Sequence, residues 1–405
     1  MTATDRLYYG DSELFAFSAV VSALREQDGR YWVALNRSAF YPDGGGQPAD
    51  HGELGGHRID DVQVDDDGIV WHRLAGAGGL PAIGDELDGR IDAERRWDHM
   101  QQHCGQHILT AAFLAVGGPA TVSFHLSGQS VTIDLAAAAV SDEHLQAAED
   151  WANARIREDL AIHARFVRPE ELAQITLRKA PSVSGAIRVV SIGDIDHSAC
   201  GGTHPQRSGA VGGVAVLGWE KQRGSARVSF ICGTRLLRRL HQQRRGLAKA
   251  AGLLQVGMDD VASAVERLQE RQKQLQEALS AVESEYDGLL AEQLSGRIST
   301  ISGTTLITAG LSGIPAARLR RLAVQTATRS GTAVILTTDD GAQQRIVIIG
   351  STDGRISARG LMQRYLAVSG GRGGGSAQLA EGGGPAALGA AALQAVLDSI
   401  GEAGR

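Results

Sequence analysis

The chain has 405 residues, 43% of them apolar, with 52 glycines and only 4% aromatics. That is too long for one ordinary core and apolar enough for more than one, so two or three domains are expected; the glycines cluster between periodic segments, which excludes a disordered chain. A net charge of −6 excludes a generally basic nucleic-acid binder, three cysteines (Cys104, Cys200, Cys232) exclude an even disulfide framework, and no apolar run reaches the roughly 20 residues of a bilayer span.

The N-terminus, Met1 to Tyr9, lacks the basic and apolar blocks of a signal peptide, so a soluble, cytoplasmic protein is expected. From Phe15 to about Gly89, short alternating segments such as Tyr31 to Leu35 and Ile69 to Leu74 predict a small antiparallel β domain, barrel-like, over residues 1–90. Within it Tyr41-Pro42-Asp43-Gly44-Gly45-Gly46-Gln47-Pro48 sets three glycines in a row. Either the backbone takes positive φ there or something approaches it closely.

Residues 91–233 mix signals: a helix over Arg95 to Val116, strands over Val122 to Leu126 and Ser130 to Leu135, and a helix over Ser141 to Leu160 with acids in its first turn. This predicts an α+β domain. Residues 234–295 form a helical connector, Thr234 to Leu254 followed by a heptad seam of mostly apolar positions from Val261 to Gln293 (Val265, Leu268, Leu275, Leu279, Val282, Tyr286 and Leu289 among them). Such a coiled-coil seam pairs with a second chain or folds back on the preceding helix. Residues 296–405 read as a C-terminal α/β domain, with β runs Thr304 to Thr308, Ala333 to Thr337 and Ile346 to Ile349 between helices Ala316 to Thr328 and Met362 to Val368. Gly370 to Gly375 and Gly382 to Gly384 in its tail read as a mobile loop or as a cradle of amides for phosphate.

The chemistry concentrates in two spacings. His103 and His107 stand four apart on a predicted helix, one turn apart on one face, and Cys200-Gly201-Gly202-Thr203-His204 sets a thiolate and an imidazole four apart across a glycine turn. Either half alone is common by chance; both within one domain make a tetrahedral set of imidazole nitrogens and one thiolate sulfur for one zinc ion per chain. A metalloprotease is excluded, because Cys104 stands where its glutamate belongs. Cys104 and Cys232 are read as packing residues.

These residues also carry a resemblance. Ala39 to Pro48, Met100 to His107, Val131 to Asp134, Cys200 to His204, the stretch from Glu220 and Lys221 to Arg227, Val228 and Phe230, and a DHHA1-like tail (Gly370 to Gly375, Glu381 to Gly384) are similar to the AlaX family of trans-editing proteins and to the editing and C-terminal parts of alanyl-tRNA synthetase. The metal motif is shared with the editing domain of threonyl-tRNA synthetase, whereas the triple-glycine domain and the tail point to alanine. The tail departs from the usual pattern, with Arg372 where lysine is common.

The resemblance implies a zinc-dependent hydrolase that acts in trans and cleaves serine, and glycine as well, from mischarged alanine tRNA. ATP binding follows by family analogy, and a homodimer through the C-terminal region is expected. Rivals are a deacylase of seryl-tRNA(Thr) and a non-catalytic tRNA-binding module with structural zinc. A pocket tuned by size rejects near neighbours of alanine by factors of only about one hundred, so a second site must use polar contacts instead. Gln106, Thr121 and Ser123 are its candidates for the serine hydroxyl. His125 and Asp134 are candidates to fix a ligand tautomer, Asp134 more simply capping a turn. Arg235, Arg238 and Arg239, with Arg244 and Arg245, make a basic stripe that, with Arg372, is the candidate surface for tRNA phosphates.

Overall fold

Alternation of apolar and polar side chains between Ala16 and Ile91 produces six strands, and in the computed structural model of the chain they close into a barrel. The structure describes residues 2–75, 79–128, 131–172, 174–178 and 186–403; Met1 and Ser130 lie outside the described residues. Two compact units result, Met1–Ala250 and Ala251–Arg405.

The barrel consists of β1 (Ala16–Gln27), β2 (Arg30–Leu35), β3 (Gly52–Leu54), β4 (His57–Val64), β5 (Val70–Ala75) and β6 (Glu86–Ile91), in the order β1-β2-β5-β4-β3-β6. Antiparallel pairing of β6 with β1, from Ala16 opposite Arg90 to Val20 opposite Glu86, closes it. Its core holds Val21, Val33, Leu35, Phe40, Leu54, Ile59, Val62 and Val70.

Asp92 then caps α1 (Ala93–Ala115), its carboxylate accepting from the Arg95 amide at 3.0 Å. Beyond α1 come β7 (Thr121–Leu126), β8 (Val131–Leu135), α2 (Asp142–Arg157), β9 (Ile162–Val167), β10 (Ile187–Ile192), β11 (Asp196–Ala199), β12 (Val214–Gln222) and β13 (Ser225–Cys232). They form a four-stranded sheet, β12-β13-β8-β7, and a three-stranded one, β9-β10-β11. Ile108, Leu109, Phe113, Val131, Ile133, Val190, Val228 and Phe230 share one core there with Cys104 and Cys232, whose burial pushes both thiols up from their ordinary values. α3 (Gly233–Leu254) leaves this sheet, exposing Leu237, Leu240 and Leu247.

The second unit begins with α4 (Val261–Ser295). The heptad positions Val265, Leu268, Leu275, Leu279, Val282, Tyr286 and Leu289 are all exposed, whereas Asp287, Ala291 and Leu294 are buried. A six-stranded sheet follows, β14-β15-β16-β17-β19-β18, from β14 (Ile298–Ile301), β15 (Thr304–Ser312), β16 (Ala333–Asp339), β17 (Gln343–Ile349), β18 (Arg372–Gly375) and β19 (Leu379–Pro385). Its two faces carry separate apolar clusters. One lies with α5 (Ala316–Ser330) and the end of α4, the other with α6 (Ala358–Ser369) and α7 (Ala386–Ala403).

The glycine-rich tail is a paired hairpin rather than a loop: β18–β19, with Arg372 opposite Gly383 through Gly375 opposite Ala380, and β18 exposed at the sheet edge. Backbones approach so closely that a Cβ on Gly371 would lie 1.8 Å from the Gly383 carbonyl oxygen, and one on Gly382 would lie 2.7 Å from Met362 Sδ of α6. Composition alone reads such glycines as loop, because the strands and helix that demand them are brought in by tertiary packing.

Candidate metal centre

His103 and His107 lie on the buried middle of α1, their rings 5.3 Å apart and stacked at 18°. Cys200 and His204 arrive on the turn after β11, which Arg188 secures by donating from Nη1 to the carbonyl oxygens of Cys200 at 3.0 Å and Gly202 at 2.9 Å. Gly202 must be glycine: a Cβ there would fall 2.3 Å from His103 Cε1. Cys200 Sγ stands 3.3 Å from His103 Nε2 and 3.4 Å from His204 Nε2, and one donor atom from each of the four residues lies within 4.8 Å of the others. Tetrahedral zinc with bonds of about 2.0–2.3 Å has donor–donor edges of about 3.3–3.8 Å; the two edges from Cys200 Sγ match these, and the whole set, within 4.8 Å, needs to draw in by only about 1 Å to hold the ion.

Each imidazole is oriented differently from behind. His107 Nδ1 faces Asp196 Oδ2 at 2.8 Å, and Asp196 also receives Ser198 Oγ and, at 3.2 Å, Arg178. His103 Nδ1 faces Gln47 Oε1 at 3.0 Å, from the triple-glycine loop. His204 Nδ1 is buried with no partner among the described residues. Burial opposes charge on His107, yet Asp196 and the nearby Cys200 sulfur outweigh it and lift its pKa to about 9. Burial likewise opposes the Cys200 thiolate; the imidazoles of His103 and His204 outweigh it and hold the thiol well below its ordinary value. Burial dominates at His204 and lowers it to about 3. Metal ligation requires the thiolate and unprotonated imidazoles, so an arriving ion has to displace the proton that Asp196 favours on His107.

A cleft of about 560 Å³ opens beside His103, His107 and Cys200. Gln106, Thr121 and Ser123 all line it, together with Gly45, Thr110, Phe124 and Arg178. Gln106 Nε2 donates to Thr110 Oγ1 at 2.8 Å, and the hydroxyls of Thr110 and Thr121 are 3.0 Å apart. Ser123 instead donates to Asp134, which Arg227 grips from Nε at 2.7 Å and Nη2 at 3.0 Å; Arg227 first, then Ser123, bring this carboxyl down to about 2. Asp134 and His125 therefore fix no candidate ligand; that position belongs to Asp196 and Gln47, as their hydrogen bonds to the two imidazoles require. The glycine loop satisfies both sequence expectations at once, with φ of +59° at Gly45 and +82° at Gly46, and Phe124 Cδ1 3.1 Å from where a Gly46 Cβ would stand.

The basic stripe is unequal. Arg235 is buried and bidentate on Asp98, with bonds of 2.8 and 2.7 Å, so its guanidinium is turned inward rather than toward a phosphate; Arg238 is paired with Glu94. Arg239, Arg244 and Arg245 are exposed on α3, as is Arg372 on the edge strand β18. Among the described residues no helix is long and apolar enough to cross a membrane.

Comparison with known proteins defines the class first. Residues 187–229 match the threonyl and alanyl tRNA synthetase second additional domain, and residues 303–403 match the DHHA1 domain. The chain is similar to the alanyl-tRNA synthetases and to the AlaX-type editing proteins. It is 28% identical to the alanyl-tRNA editing protein AlaX-L of Pyrococcus horikoshii, over 93% of this chain and 94% of that protein. It is 31% identical to the alanine–tRNA ligase of Methanothrix thermoacetophila and 30% identical to that of Pyrococcus abyssi, over 98% and 94% of this chain. It spans less than half of those ligases, 44% and 42% of their lengths. A solved C-Ala domain of Aquifex aeolicus alanyl-tRNA synthetase matches 26% of this chain and 97% of its own at 23% identity, with a TM-score of 0.24, too low to carry an argument.

Proposed function

We propose that the chain is a cytoplasmic editing hydrolase that cleaves the ester between serine, and also glycine, and alanine tRNA, using one zinc ion held by His103, His107, Cys200 and His204. The observation that carries this reading is the four donor atoms within 4.8 Å of one another, beside a cleft large enough for an aminoacyl end. When bound, zinc supplies a positive centre that polarises the ester or an adjacent water. The similarity to AlaX-L supports editing of alanine tRNA.

The residues of the chain do the selecting. Gln106, Thr110 and Thr121 form a short hydrogen-bonded chain on the cleft wall, whose remaining donor and acceptor capacity a serine hydroxyl meets and an alanine methyl does not. Phe124 lines the same cleft. Arg239 and Arg372 are the exposed cations offered to tRNA phosphates, Arg235 and Arg238 serving first to tie α3 to α1. On this reading the segments are a barrel over 1–90, the editing domain over 91–233, a coiled-coil connector over 234–295 and the DHHA1-like domain over 296–405, with a homodimer formed through the C-terminal region.

The test follows release of serine, glycine and alanine from alanine tRNA, and of serine from threonine tRNA, by purified protein of measured zinc content. Serine on alanine tRNA is expected to be released at least about one hundred times faster than alanine. Changing His103→Ala is expected to abolish zinc content and hydrolysis while the circular dichroism stays native. Zinc-loaded protein that releases none of the three amino acids would remove the proposal, and preference for threonine tRNA would redirect it.

A further inference from the structure

One carboxamide touches both halves of the metal centre. Gln47 is fully buried at the end of the triple-glycine loop, whose backbone closes on itself through Gly44 N to Gln47 O at 3.1 Å and Gln47 N to Gly44 O at 3.0 Å. Its Oε1 faces His103 Nδ1 at 3.0 Å and accepts from the Thr203 amide at 3.2 Å, while its Nε2 donates to Thr203 Oγ1 at 2.8 Å. The Thr203 N–H can only donate, so the atom facing it must be the oxygen; the reversed amide would set donor against donor. With Oε1 thereby fixed as acceptor, His103 carries its proton on Nδ1. Its Nε2 lone pair is left free toward Cys200.

The loop itself is tied down independently. Asp50 accepts from the Tyr41 amide at 2.6 Å and from the buried guanidinium of Arg96 at 3.1 and 3.0 Å, and Arg96 also donates to Ser12 O at 2.7 Å and to Ala39 O at 2.6 Å. Arg96 lies on α1, two turns before His103, so the loop is registered against the helix that carries the first two imidazoles. The Gln47 amide then reaches across to the turn that carries the other two donors. Sequence reasoning could not see this, because Gln47 is 56 residues from His103 and 156 from Thr203.

We propose that Gln47 is a positioning residue of the metal centre: it fixes the tautomer of His103, holds the Cys200–His204 turn in register with α1, and couples order in the glycine loop to occupancy of the metal site. This rests on the metal-centre reading above. Outer partners of ligating histidines typically account for about 10–100-fold in metal affinity. Because coupling is reciprocal, metal binding must steady the loop as much as the loop favours the metal.

The experiment is zinc affinity, read by competition with a chromophoric chelator on the full chain. Gln47→Met keeps the length and removes both polar functions; affinity is expected to fall about 10–100-fold. Gln47→Glu keeps the acceptor for His103 Nδ1 and the Thr203 amide, and the Thr203 hydroxyl can turn to donate, so its affinity is expected within about tenfold of wild type. A wild-type chain that takes up no zinc would remove the metal-centre reading and this one with it. Wild-type binding matched by equally tight binding in Q47M would remove the role of Gln47 alone. Should Q47M fail to fold, the native chain decides: amide exchange at residues 44–47 is expected to slow by about tenfold on adding zinc, and an unchanged rate overturns the proposal.

Discussion

His72 sits in the closed interior of the barrel, where Nδ1 faces the Val33 carbonyl at 3.0 Å and Nε2 faces Ser38 Oγ at 2.7 Å. A carbonyl only accepts, so the neutral ring carries its proton on Nδ1 and takes the serine hydroxyl at Nε2. Burial holds this imidazole down at about 4. The unfolded chain takes up the proton near 6.5 and the folded barrel only near 4, so stability is complete above 6.5 and declines as the pH falls through that window, by about 3 kcal/mol in all. Urea unfolding of the wild type and of His72→Gln between about pH 7 and pH 4 checks this. His99 is also lowered by burial, so the difference between the two curves is the quantity to read; parallel curves would exclude His72 as a source. The residues legible in the sequence were those whose relation is local. A spacing of four brings His103 to His107 and Cys200 to His204 by helix and turn geometry alone. Gln47, Asp196 and Arg178 were not legible, because which imidazole each meets depends on strands that return from far along the chain; the one available signal was that Asp196 precedes Cys200 by the same four residues.

At the scale of elements, the β18–β19 hairpin offers a controlled comparison. Gly371→Ala places a methyl against the Gly383 carbonyl, whereas a Cβ on Gly374 meets nothing within 4 Å. The first substitution is expected to destabilise the second unit by about 1–3 kcal/mol or more, the second to leave it unchanged within about 0.5 kcal/mol. Thermal melting of both variants tests it, and equal melting temperatures would show that the hairpin has room the distances deny. The helix that begins after Ser141 was readable from periodicity, burying Leu145, Ala148, Ala152 and Ile156, and the strands around Val122 to Leu126 and Ile346 to Ile349 were readable as short β-type runs. The expected barrel-like domain is present as well, closed where β6 pairs with β1. On α4 the side chains of the heptad stripe are exposed; the packing of that helix on α5 uses Ala291 and Leu294 instead, with Arg318 donating to Asp287 at 2.8 Å.

For the whole molecule, two compact units predict two unfolding transitions. All four candidate ligands belong to the first unit, so removing zinc by chelation is expected to lower only the transition that contains the barrel, by about 4 kcal/mol if the metal had been present at about a thousandfold excess over its Kd. Calorimetry with and without chelator reads this, and a common shift of both transitions would contradict the division. The wide separation of the donors also sets a clock. His103 and Cys200 are 97 residues apart, and at roughly 5–20 residues per second a ribosome needs about 5–20 s to pass from one to the other. A chain stalled or cut within that interval presents His103 and His107 without Cys200 and His204, half of the donor set and a weak grip on scarce metal, so capture of the ion marks a polypeptide whose synthesis has already passed His204.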